Sequence, residues 1–136
     1  MKTNCRCAML AALLMCACAT PSDPYQLEGP RTGAGVEVAP YALREECFRL
    51  DAGERIDFYF TSTAPLAFNI HYHEGNAVVM PIERPHARSE SGEFVADRKE
   101  IYCMMWEAGS EAALVDYGLR PVRPLPKRPG PSYNSW

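Results

Sequence analysis

The run Arg55-Ile56-Asp57-Phe58-Tyr59-Phe60-Thr61-Ser62 decides the fold class. Ile56, Phe58 and Phe60 recur at every second position, with Asp57, Tyr59 and Thr61 between them, so one face is apolar and the other polar. That is the period of a half-buried β-strand, in which successive side chains point to opposite faces. The turn chemistry of Asp51-Ala52-Gly53-Glu54 marks its start.

Reading outward from this strand, short strand-like runs alternate with turn residues. In Leu66-Ala67-Phe68-Asn69-Ile70-His71-Tyr72-His73 the apolar face is Leu66, Phe68, Ile70 and Tyr72, and Asn69, His71 and His73 are expected on an exposed polar face. Glu74-Gly75-Asn76 reads as a turn. Ala77 to Met80 makes a third run, and Pro81 after it argues for a strand end or a sheet edge, because proline cannot donate to a ladder. The polar stretch Glu83 to Gly92 is expected to be an exposed loop. Glu100-Ile101-Tyr102-Cys103-Met104-Met105-Trp106 is apolar on both faces, which suits a central strand. After the turn Glu107 to Glu111, residues Ala112 to Leu119 are expected to return as the last strand of a hairpin with the Cys103 strand. No stretch carries a sustained helical period, so the reading is all-β, a single antiparallel β-sandwich.

The flanks have a different character. Lys2 and Arg6 precede an apolar run from Ala8 to Ala17 that ends in small residues, the pattern of an export signal. A run of roughly ten residues is too short for a membrane span, which needs about 20. Residues 1–18 are therefore read as a signal peptide with two processing routes open. Ala17-Cys18-Ala19 offers an A-x-A cleavage pattern; Met15-Cys16-Ala17-Cys18 resembles a bacterial lipoprotein signal in which Cys18 is acylated, although the usual leucine is Met15 here. The lipoprotein route is favoured because a polar, Pro- and Gly-rich tether follows, residues 19–35. The expected location is the bacterial periplasm, anchored to the outer membrane if Cys18 carries lipid. The folded domain is expected over 36–120, and 121–136 reads as a flexible tail, since prolines alternate with cations from Arg120 to Pro131.

Of 136 residues, 47% are hydrophobic and 23% charged, the composition of one soluble globular domain. A net charge of −3 with no basic block in the domain gives nucleic acid nothing to bind. Four of the six cysteines, Cys5, Cys7, Cys16 and Cys18, fall in the signal, leaving Cys47 and Cys103 in the body. Two cysteines in an oxidising compartment usually pair. Closing a loop of that length stabilises by about 4 kcal/mol in the chain-entropy treatment.

The order Glu46-Cys47-Phe48, an aromatic-rich strand, Phe68-Asn69-Ile70-His71, then Tyr102-Cys103 leading through Trp106 to a final strand resembles the GOLD domain, the β-sandwich of luminal cargo receptors. The resemblance covers about residues 44 to 120. It implies a disulfide joining the two sheets and a bias towards protein or lipid ligands. It departs after Cys103, where Met104-Met105-Trp106-Glu107 replaces the receptors' aromatic and asparagine, and residues 121–136 are not a coiled coil or membrane helix, so cargo sorting is not implied.

For chemistry, His71 and His73 fall on one strand face, where two imidazoles can share a transition metal. His86 is a candidate third ligand and Glu74 a candidate oxygen donor, for Cu(II) or Zn(II). Met80, Met104 and Met105 read as core filler, and no nucleophile with a base and an orienting group is recognisable. The expected function is a non-enzymatic cell-envelope binding module for a protein or lipid. The alternative is a periplasmic Cu/Zn-binding protein that uses His71 and His73.

Overall fold

A computed structural model describes residues 22–123. The stretch read as a signal peptide, the acylation candidate Cys18 and the tail beyond Arg123 lie outside the described residues. Six antiparallel strands make one sheet: β1 (Arg31–Val38), β2 (Leu43–Leu50), β3 (Arg55–Glu74), β4 (Ala77–Val95), β5 (Glu100–Ala108) and β6 (Ala113–Pro121).

The fold turns on β3. Its even-numbered positions from Ile56 through Phe58, Phe60, Ala64, Leu66, Phe68 and Ile70 to Tyr72 are buried, apart from Ser62, so two runs read separately in the sequence are one 20-residue strand. Its first half pairs β6, from Ile56 opposite Pro121 to Ser62 opposite Val115; its second half pairs β5, from Leu66 opposite Ala108 to His71 opposite Cys103. Pro65, which has no N–H to donate, sits where one partner gives way to the other. β4 follows β3 along its other side. The sheet thus curls into two layers, β1-β6-β3-β4 and β2-β5-β3-β4, that share the β3–β4 hairpin and face each other as a sandwich does.

Between the layers the aromatic rings of Phe60, Phe68 and Trp106 cluster at centroid separations of 4.6–6.1 Å. Trp106 of β5 reaches Tyr117 of β6 at 4.8 Å, a contact from one layer to the other. The free edges of β1 and β2 are stitched by side chains: Arg31 donates to Glu46 Oε1 and to the Cys47 carbonyl, both at 2.9 Å, and Arg44 donates to the Glu37 carbonyl at 3.2 Å.

Three sequence expectations about the strands are corrected. β1 begins at Arg31, inside the stretch read as tether, and Gln26 bridges to Arg49. Gly33, taken for linker chemistry, leaves the space that the Tyr117 ring fills. Residues 83–92 are part of β4, an edge strand whose mostly exposed side chains erase the period that would announce it. β6 forms no hairpin with β5; it crosses to the other layer and pairs β3 and β1.

The expected disulfide between Cys47 and Cys103 is present, as a bond between strands. The two cysteines face each other in directly paired positions of the adjacent strands β2 and β5, with their Cα atoms 4.0 Å apart. The bond lies within one layer and does not join two sheets as the GOLD resemblance implies. β5, between β2 and β3, is the interior strand its composition predicts. Pro81 lies on the edge strand β4, as expected.

Candidate functional site

Two places in the molecule depart from what packing alone requires. The first is the turn between β1 and β2. Ala42 N donates to the Ala39 carbonyl at 3.0 Å, closing a four-residue turn with Pro40 and Tyr41 at its centre. Proline suits the first central position of a type II turn, whereas the second needs a positive φ and is usually glycine. Here it is Tyr41, at φ 57°. A side chain in this left-handed region costs about 1–2 kcal/mol. The conformation is held from the β5–β6 turn, since Tyr41 N donates to the Gly109 carbonyl at 2.8 Å and Ala108 N to the Ala42 carbonyl at 3.0 Å.

The ring so positioned is 79% exposed, and Leu43 two residues on is 53% exposed. Beside Tyr41 lies an open recess of about 460 Å³ lined by Pro65, His86, Glu107, Ser110 and Glu111 among others. Among the described residues neither Glu107 nor Glu111 joins an ion pair, so the rim is acidic with an aromatic projection. Sequence reasoning missed Tyr41. Pro40 signals a turn, but nothing local says that a tyrosine takes the glycine position.

The second place is the outer surface of the β2-β5-β3 layer. Asn69 and His71 are buried there, His71 to 3% exposure, contrary to the exposed polar face expected. The curl of the sheet presses them among the disulfide, Met105 and Glu45 on the paired strands. His71 Nδ1 donates to Asn69 Oδ1 at 2.8 Å, and His71 Nε2 stands 3.5 Å from Glu45 Oε1. Burial pulls the His71 pKa down, opposed by the Glu45 carboxylate and aided by His73.

The predicted metal residues are partly assembled. His71 and His73 sit edge to face with ring centroids 5.2 Å apart. His86 is not with them: it lies on β4 beyond Arg84, the partner of Phe68, at the Tyr41 recess. Glu74 faces Arg98 at 3.4 Å instead. Glu45, Cys47 and Cys103 bring potential ligand atoms close together, but the disulfide leaves no thiolate to bind a metal. Met104 is core, Met105 half-buried and Met80 exposed.

No family model matches the chain, and neither does any curated protein. By architecture the molecule belongs among small antiparallel β-proteins built from a curled sheet. It is similar to the crystal structure of PliG from Aeromonas hydrophila, a periplasmic lysozyme inhibitor of g-type lysozyme, with a TM-score of 0.55 and 9% identity over 69% of this chain and 87% of that one. The mitogen YPM from Yersinia pseudotuberculosis aligns with a TM-score of 0.42 and 14% identity over 74% of this chain and 89% of that one. At such identities the PliG likeness shows the fold alone.

Proposed function

We propose that this protein is a non-enzymatic module of the bacterial cell envelope that binds a partner protein through the Tyr41 end. The observation that carries this reading is Tyr41 itself, a large exposed ring on a backbone held in a conformation that glycine would adopt at lower cost. Strain of this kind persists where the surrounding structure enforces it, and it clusters at functional sites. An exposed tyrosine is a common anchor at protein interfaces, and the flanking acidic groups suit a basic partner surface. The export signal in residues 1–18 supports delivery to the periplasm, with acylation of Cys18 as the proposed anchor.

The fold shared with PliG supports a narrower reading, that the partner is a cell-wall hydrolase of the g-type lysozyme class. The test is titration of a g-type lysozyme with the purified protein, following peptidoglycan hydrolysis and binding heat together. Saturable one-to-one inhibition is expected. Tyr41→Gly relieves the backbone strain, so its melting temperature should hold or rise while affinity falls roughly tenfold or more. Absence of binding would rule out the lysozyme as partner. Undiminished binding by Tyr41→Gly would move the contact elsewhere on the surface.

A further inference from the structure

We infer that the outer surface of the β2-β5-β3 layer holds a transition-metal site made by His71 Nε2, the Glu45 carboxylate and His73, with Asn69 orienting His71. This set differs from the one read in the sequence. Glu45, on a different strand, takes the place of His86 and Glu74, and only the strand pairing reveals it.

The geometry begins with Asn69. Its Oδ1 accepts from His71 Nδ1 at 2.8 Å, which places a proton on Nδ1, so that in the neutral ring the Nε2 lone pair is free. A ligating histidine almost always donates its other ring N–H in this way, which fixes both tautomer and ring plane. Among the described residues Nε2 has no hydrogen-bond partner, and the group nearest in charge is a carboxylate oxygen 3.5 Å away. A neutral imidazole nitrogen and a carboxylate oxygen this close repel unless a cation, either a proton or a metal ion, lies between them.

The distances suit such an ion. With Zn–N and Zn–O bonds of about 2.0–2.2 Å and tetrahedral angles, two donors on one zinc stand about 3.3–3.5 Å apart. His71 and Glu45 are already at that separation. Two imidazoles bound to one tetrahedral zinc bring their ring centroids about 5 Å apart by the same bond lengths. The rings of His71 and His73 are 5.2 Å apart. The three donors are not gathered round one point, and binding requires the exposed His73 side chain to turn its donor in. Imidazole and carboxylate together suit Zn(II) and Cu(II), with water completing the coordination.

The experiment titrates Zn(II) into the full chain carrying Cys5→Ser, Cys7→Ser, Cys16→Ser and Cys18→Ser, with the Cys47–Cys103 bond intact, by calorimetry. One ion per chain with micromolar or tighter affinity is expected. Glu45→Gln and His73→Ala, both at exposed positions that leave the core untouched, should each weaken binding at least tenfold, and His86→Ala should leave it unchanged. His71→Gln should abolish it; because that side chain is buried, the Glu45 and His73 variants decide the matter if it fails to fold. With Cu(II) as probe, paramagnetic resonance should show two imidazole nitrogens, and one after His73→Ala. No binding, undiminished affinity in either Glu45→Gln or His73→Ala, or a loss in His86→Ala overturns the assignment.

Discussion

Tyr117 shows how much a single side chain can connect. Its ring packs on Trp106 from the other layer, while its hydroxyl donates to Glu46 Oε2 at 2.9 Å, and Glu46 in turn accepts from Arg31. Burial first, and then the bond to the Glu46 carboxylate, push the Tyr117 pKa up to about 12. Tyr102, whose hydroxyl donates to the Arg98 carbonyl at 2.9 Å, is likewise raised to about 12, mainly by burial. The folded state therefore holds both phenols protonated more firmly than the unfolded chain, where they ionise near 10. Stability from this source is complete below pH 10 and is lost as pH rises from 10 towards 12. Urea unfolding at stepped pH should show this fall, and Tyr117→Phe should flatten it; an unchanged slope would place the alkaline sensitivity elsewhere.

At the level of the strand, glycines face aromatics across the ladder: Gly33 opposite Tyr117, Gly118 opposite Tyr59 and Gly92 opposite Phe58. Added methyl groups at Gly33 and Gly118 would run into the facing rings. The two rings differ in freedom. Tyr117 is fixed by Trp106 and Glu46, whereas Tyr59 is half exposed and able to swing aside. Gly33→Ala should therefore lose about 1–3 kcal/mol by overpacking, and Gly118→Ala clearly less, as read from denaturation midpoints. Equal losses would mean that backbone freedom matters here more than the facing ring. The same pairs explain what the sequence disclosed. Alternation in β3 was legible because its apolar face meets the core along its whole length, and β5 because both its faces are covered. β1 and the second half of β4 were not, since a glycine that makes room for a distant tyrosine looks locally like a linker, and an edge strand with exposed side chains has no period. His71 and His73 were legible as a pair on one face, but Glu45 joins them only through the β2–β5–β3 register, and the strain at Tyr41 is a property of the closed turn.

For the whole molecule, β3 and β4 belong to both layers, so neither layer has a complete set of strands without the other. The Cys47–Cys103 bond adds to this by closing a loop across a sequence separation of 56 residues. Replacing both cysteines by serine should lower stability by up to about 4 kcal/mol in the chain-entropy treatment, measured by urea unfolding, with the strand content kept in far-ultraviolet dichroism. A loss near zero would show that the unfolded chain is already confined. The placement of this bond within a layer also bears on how the chain matures. A slip of one residue between neighbouring strands turns every side chain of the slipped strand to the opposite face. Two sulfurs on opposite faces cannot meet. Among paired strands a one-residue slip of β2 against β5 is therefore incompatible with the bond, and once formed the bond holds the native alignment of Cys47 opposite Cys103 and makes it hard to undo.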